Sequence, residues 1–129
     1  MTAGDRGGRG TLRISVVLDC TDAAMLAAFW TGALGYLQVA AEGGFIGLQD
    51  PERRLPTLVL QRVPERKMVK NRMHLDVFSD DFDQHLVRLK ELGATVVTPE
   101  HTEPDGMRLV VLADPEGNEF CLLDPTGAA

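Results

Sequence analysis

ALGYLQV, residues 33–39, and ELGATVV, residues 91–97, describe the same event twice: a helix runs out on Leu-Gly and a strand begins. Leu34 and Leu92 stand 58 positions apart, as do Gly35 and Gly93, and so do Asp22 and Asp80 further upstream. An offset that holds through a helix and both its flanks marks an internal repeat, and the repeat decides the fold.

Upstream of the first copy, Leu26, Phe29, Trp30, Ala33 and Leu34 recur at helical spacing. Thr21 or Asp22 supplies an acceptor for the first free amides, and Gly35 suits the left-handed residue that ends a helix. LRISVVL, residues 12–18, precedes this helix as a β-branched strand. YLQVA, FIGLQ and TLVLQRV follow it as three short strands separated by EGG and DPERRLP. From Asn71 the order returns: NRMHLDV as a strand, then a helix from about Asp81 with Phe82, Leu86, Leu89 and Leu92 on one face, stopped by Gly93. ATVVT, MRLVVLA and EFCLL complete it, with DPEGN as the turn between the last two.

The chain therefore reads as an α+β fold of two βαβββ units, about 11–63 and 70–125, in one domain over 11–125. Four strands and one helix leave a sheet face bare, so the units must pack on each other or across a dimer. Curled mixed sheets with helices outside enclose a concave face, the usual place for a small-molecule cavity. Residues 1–10, rich in Gly and Arg, read as a flexible tail, and the closing TGAA reads likewise.

Composition narrows the function. The 129 residues carry a formal charge of −6, which argues against the clustered cations of a nucleic-acid partner. No apolar run approaches the roughly 18 residues of a membrane span, so no membrane partner is expected. Two cysteines, Cys20 and Cys121, make no disulfide framework, and no signal-peptide pattern opens the chain. A cytoplasmic location follows, with both thiols read as small buried hydrophobes.

KNRMHLDV, residues 70–77, carries the chemistry. If it is a strand, Arg72, His74 and Asp76 share one face at steps of about 6.6 Å. Asp76 can then accept an imidazole N–H and leave the other ring nitrogen to a ligand, the arrangement of an oriented general base. Arg72 offers a planar fork for a carboxylate, phosphate or enolate. The bland alternative is a polar patch satisfied within the sheet. His85 reads as solvent-facing, His101 as a loop residue and Trp30 as core.

The ordered set FWTGALGY, SDDFDQHL, ELGA and LADPEGNEFCLL resembles the glyoxalase, bleomycin-resistance and extradiol-dioxygenase superfamily, the vicinal oxygen chelate proteins, over about Leu12 to Asp124. KNRMHLDV resembles a glyoxalase-like branch common in bacteria. The resemblance implies a cavity inside curled sheets and, in the enzymes, a divalent metal held by His and Glu from the first and last strand of each unit. It also implies a homodimer. Matched onto these positions, Ser15 and Arg72 fall where the first-strand ligands would be, Leu60 or Gln61 near a third, and Cys121 replaces the last glutamate, with Glu119 nearby on the same face. Three or four donors make a stable divalent site, and this set falls short, so no metal or other cofactor is expected. The leading reading is a cavity for a small organic molecule, with His74 and Asp76 as proton-transfer groups and Arg72, Ser15, Gln61, Glu119 and Cys121 as contacts. Two others remain: a metal-dependent lyase, isomerase or dioxygenase with unusual ligands, and a sequestering protein of the bleomycin-binding kind. Aromatic residues at 5% weigh against the large stacking groove the last would use.

Overall fold

Alternating apolar residues and two capped helices divide the chain into the repeated order that the Leu-Gly exits announce. In the computed structural model, which describes Thr11 and residues 13–127, the first unit is β1 (Ser15–Cys20), α1 (Ala23–Leu34), β2 (Leu37–Glu42), β3 (Phe45–Gln49) and β4 (Thr57–Arg62). The second is β5 (Asp76–Phe78), α2 (Phe82–Leu92), β6 (Thr95–Thr102), β7 (Arg108–Ala113) and β8 (Glu119–Asp124). The expected tail over residues 1–10 and Leu12 of the first expected strand lie outside the described residues. Thr126 and Gly127, expected as the start of a closing tail, instead belong to a short 3-10 turn over Pro125–Gly127, where Asp124 accepts the Thr126 N–H at 2.9 Å.

A side-chain cap starts α1, and a left-handed glycine stops each helix. Asp22 accepts the Met25 N–H at 3.1 Å, and Gly35, at φ 70°, ends α1 as Gly93, at φ 116°, ends α2. Each unit forms a mixed four-stranded sheet, in the orders β1-β4-β3-β2 and β5-β8-β7-β6. β1 runs parallel to β4 and β5 parallel to β8, each across its helix, while the remaining pairs are antiparallel. Alternation then sorts the side chains. Val16, Leu18, Leu58 and Leu60 pack into the core, while Val17, Leu37 and Phe45 stay exposed on the open face.

The two cores are one. Phe29 and Trp30 of α1 meet Phe120 of β8 edge to face at 6.0 and 4.9 Å, and the Trp30 indole N–H donates to buried Asp114 at 3.1 Å. Glu116, in the β7–β8 turn, accepts from the Thr21 N–H at 2.8 Å, the Thr21 hydroxyl at 3.2 Å and the Asp22 N–H at 2.6 Å, which fastens the second unit to the mouth of α1. On the far side Arg108 lies over the Phe82 ring at 4.3 Å and pairs with Asp83 at 2.8 Å and Glu100 at 2.7 Å.

Two expectations are corrected. NRMHLDV is a strand only from Asp76; β8 begins at Glu119, two residues before Cys121, the partner of Asp76, so residues 72–74 have almost no ladder to join. ATVVT extends to Thr102, which places His101 inside β6 opposite Leu109 and 3.0 Å from Glu103, not in a loop. Pro99 is tolerated there because β6 is an edge strand whose register slips between Thr98 and His101. The repeat also reaches further than its helix exits. Asp50 accepts the amides of Glu52 at 3.0 Å and Arg54 at 2.9 Å, and Asp114 accepts those of Glu116 and Asn118, both at 2.9 Å. Asp-Pro-Glu therefore opens the same turn in both units.

Removing the Glu116 carboxylate in Glu116→Ala leaves the Thr21 and Asp22 donors unpaired and is expected to cost about 1–3 kcal/mol in urea unfolding. Backbone amides, led by that of Glu52, hold the Asp50 carboxyl below its ordinary value. Its stabilisation is full above the ordinary carboxylate range and is lost as pH falls through the depressed folded value. Asp50→Asn should lower stability at neutral pH and flatten the acid limb of the stability–pH curve.

Candidate functional site

Edge strand β1 and the segment before β5 face each other where the units join, and the gap between them is a cavity of about 470 Å³, within the usual range for small-molecule sites. Its apolar lining comes from Val16, Leu18, Trp30, Leu58, Leu75 and Phe120. Trp30, Leu58 and Phe120 belong to the cross-unit core, so the cavity floor is continuous with the seam, while exposed Ile14, Val17 and Met73 stand at its open side. Ser15 and His74 line it from opposite units.

Those two residues are counterparts. Strand register pairs Val16 with Leu58 and Val17 with Val59 in the first unit, and Asp76 with Cys121 in the second. The buried pair Leu58 and Leu60, opposite Leu48 and Ile46, corresponds to the buried pair Phe120 and Leu122, opposite Leu112 and Val110. Stepping back two residues from Val17 and Asp76 sets Ser15 against His74. The sequence matching that set Ser15 against Arg72, and placed the β4 counterpart of Cys121 at Leu60 or Gln61, is thus shifted; the β4 counterpart is Val59.

His74 Nε2 lies 3.1 Å from Asp76 Oδ1, both half-exposed. With Nε2–H donating to Asp76, Nδ1 keeps its lone pair for a ligand, the geometry of an oriented base. The Cys121 thiol lies beside Asp76; burial first, then the Asp76 charge, pushes its pKa up, so it is a protonated thiol at neutral pH and not a ready nucleophile. Cys20, deep under the first sheet, is pushed up to about 11 mainly by burial.

The remaining expected contacts scatter. Arg72 is exposed, lines no cavity described here and makes no ion pair among the described residues. Gln61 sits at the far end of β4 from Thr57 and away from His74. Glu119 does line the cavity, but its carboxylate accepts the Asn71 N–H at 3.1 Å and pairs with Lys67 at 3.3 Å, which ties down the segment between the units. These contacts hold its pKa low. His85, read as solvent-facing, is exposed yet bonded to the buried Ser79 hydroxyl.

A divalent metal is the group the fold implies, and the donor set can be tested for it. The ligating atoms of His74, Asp76 and Cys121 lie within 4.8 Å of one another. One nitrogen, one oxygen and one sulfur with a fourth position open fit a borderline-soft cation of the zinc class better than a hard one. Ser15, Val17 and Val59 stand at the counterpart positions, so such an ion would rest on the second unit alone. When bound, it would supply Lewis acidity to a ligand oxygen. Adding up donors along the sequence did not assemble this set, because Asp76 meets Cys121 only through the parallel register of β5 and β8.

The architecture is that of the glyoxalase/bleomycin resistance/dioxygenase superfamily. Solved structures of that fold align along most of the chain. A glyoxalase/bleomycin resistance protein/dioxygenase family enzyme from Burkholderia phytofirmans PsJN has a TM-score of 0.72 at 19% identity, covering 85% of this chain and 95% of that one. Lactoylglutathione lyase from Agrobacterium tumefaciens gives 0.65 at 19%, covering 90% and 95%. A fosfomycin resistance protein from Listeria monocytogenes, solved with Mn(II) and a dihydroxypropylphosphonic acid, gives 0.71 at 16%, covering 84% and 85%. No curated protein sequence matches the chain. Residues 15–123 match the family model of the glyoxalase-like domain, and the chain belongs to that family.

Cobalt(II) added to the purified protein is expected to give a near-ultraviolet thiolate-to-metal band that disappears in Cys121→Ser. Absence of the band from the wild-type protein at saturating cobalt would remove Cys121 from the donor set.

Proposed function

We propose that the protein binds a small organic molecule in the cavity between its two units, and that His74, oriented by Asp76, moves a proton to or from it. The observation that carries this reading is the seam cavity itself: an apolar floor of Trp30, Leu58 and Phe120 with one oriented imidazole at its rim. An apolar body is held by desolvation, while the His74 nitrogen left free by Asp76 faces the polar end. The reading treats residues 11–125 as one domain, in the cytoplasm, with two free thiols as support for a reducing compartment. No helix among the described residues is long and apolar enough to cross a membrane. Exposed Leu37, Val39 and Phe45 on the outer strands of the first sheet support the further reading that a second copy of the chain covers them.

A second reading, a metal-dependent lyase, isomerase or dioxygenase, is favoured by the His74, Asp76 and Cys121 cluster. The two share residues and differ in whether a cation occupies the cluster.

Ligand-observed NMR screening separates the cavity from other surfaces. Ser15→Trp, at an exposed strand position on the cavity wall, should fold normally and abolish binding of the hits. Hits that bind Ser15→Trp as tightly as wild type would place the ligand elsewhere. For hits that are carbon acids, deuterium exchange catalysed by the protein should fall by about a hundredfold or more in His74→Ala. Unchanged exchange would leave His74 a contact without chemistry.

A further inference from the structure

We infer that the ligand is an organic anion, its apolar body in the seam cavity and its oxyanion in a second, cationic cavity beside it; the inference rests on the proposed function and names its substrate class. The second cavity, about 530 Å³, adjoins the first at Ile14 and Ser15, which line both, and the inferred ligand lies across Ser15. It is lined by Arg13, Arg53 and Arg54 with Gln49 and Thr57, and no Asp or Glu lines it. Three guanidiniums without a lining carboxylate are a marked local reversal in a chain of formal charge −6. Glu52, outside the lining, pairs with Arg54 at 3.3 Å, but both side chains are about 70% exposed and the pair is weak in solvent.

The repeat shows that turn geometry does not demand these arginines. Arg53 N–H donates to the Asp50 carbonyl at 2.9 Å as Gly117 N–H donates to the Asp114 carbonyl at 2.8 Å, so the two residues hold one position in two copies of one turn. Gly117 has φ 89°, and Arg53, at φ 58°, is the one non-glycine residue with positive φ among the described residues. The left-handed region is costly for a side chain with a Cβ, and residues kept there cluster at ligand sites. At the next position Asn118 folds its amide onto Asp114 at 3.0 Å, whereas Arg54 lines the cavity. The second unit spends this turn on closing itself; the first presents two cations. Guanidinium forks match carboxylate and phosphate oxygens, and the adjoining apolar lining selects for a hydrophobic body on the same molecule. Arg72 lines neither cavity, so the anion is read by the β3–β4 turn and β1 rather than by the residues flanking His74.

The test uses the full chain and three matched probes: phenylbutyrate, phenylpropyl phosphate and the neutral phenylbutanamide, titrated by Trp30 fluorescence and calorimetry. The variant is Arg53→Gly with Arg54→Asn, which writes the second unit's turn into the first. It should fold and melt no lower than wild type, since Gly117 already holds that backbone conformation. Wild type should bind at least one anion about tenfold or more tighter than the amide, and the double variant should erase that preference while still binding the amide. Whichever anion is preferred tells carboxylate from phosphate. Equal binding of all three probes, or a preference that survives in the variant, would overturn the anion inference and leave the cavity reading intact. Binding of none, where Ser15→Trp also blocks no hit from the NMR screen, would overturn both.

Discussion

Each βαβββ unit is incomplete because one helix cannot cover four strands, and the packing of Phe29 and Trp30 from α1 against Phe120 from β8 is what answers that constraint. These rings, with the Trp30 indole held by Asp114 and the helix mouth held by Glu116, join two half-cores into one. The same seam positions the site. Edge strand β1 and the segment before β5 are brought face to face but not hydrogen-bonded into one sheet, and the cavity floored by Trp30 and Phe120 is the space between them.

Much of the architecture was legible because it is carried by local signals repeated at a fixed offset. Gly35 and Gly93 end helices for a backbone reason that no tertiary contact needs to supply, and the apolar faces of α1 and α2 follow from spacing alone. The failures are non-local. Whether NRMHLDV is a strand depends on where β8 begins, which residues 71–77 do not encode. Pro99 looked like the end of a strand and is instead an irregularity at an edge. Within the candidate site, His74 and Asp76 could be paired from the sequence because they are two residues apart. Cys121 joined them only through the β5–β8 register, and Glu119 turned out to be engaged by Lys67 and Asn71.

The repeat is most informative where its copies diverge. His74 and Asp76 in the second unit correspond to Ser15 and Val17 in the first, so acid–base and donor capacity sits on one unit. Gly117 and Asn118 in one turn correspond to Arg53 and Arg54 in the other, so cationic capacity sits on the opposite unit. Two copies of one scaffold thereby hold one site with two different ends. The Asp-Pro-Glu repeat that exposes this was visible in DPERRLP and DPEGNEF, but its meaning depends on backbone hydrogen bonds made by Asp50 and Asp114. Family membership sets the scaffold; these substitutions set what the scaffold can hold.

The most direct measurement is a two-dimensional amide and indole NMR map of the chain titrated with phenylbutyrate. The account predicts shifts concentrated on Ile14–Leu18, on residues 73–75 and on the Trp30 indole, with Leu37, Val39 and Phe45 undisturbed. Shifts confined to Val39, Phe45 and Val97, with the indole unmoved, would contradict it, because the ligand would then lie on an outer face and not in the seam.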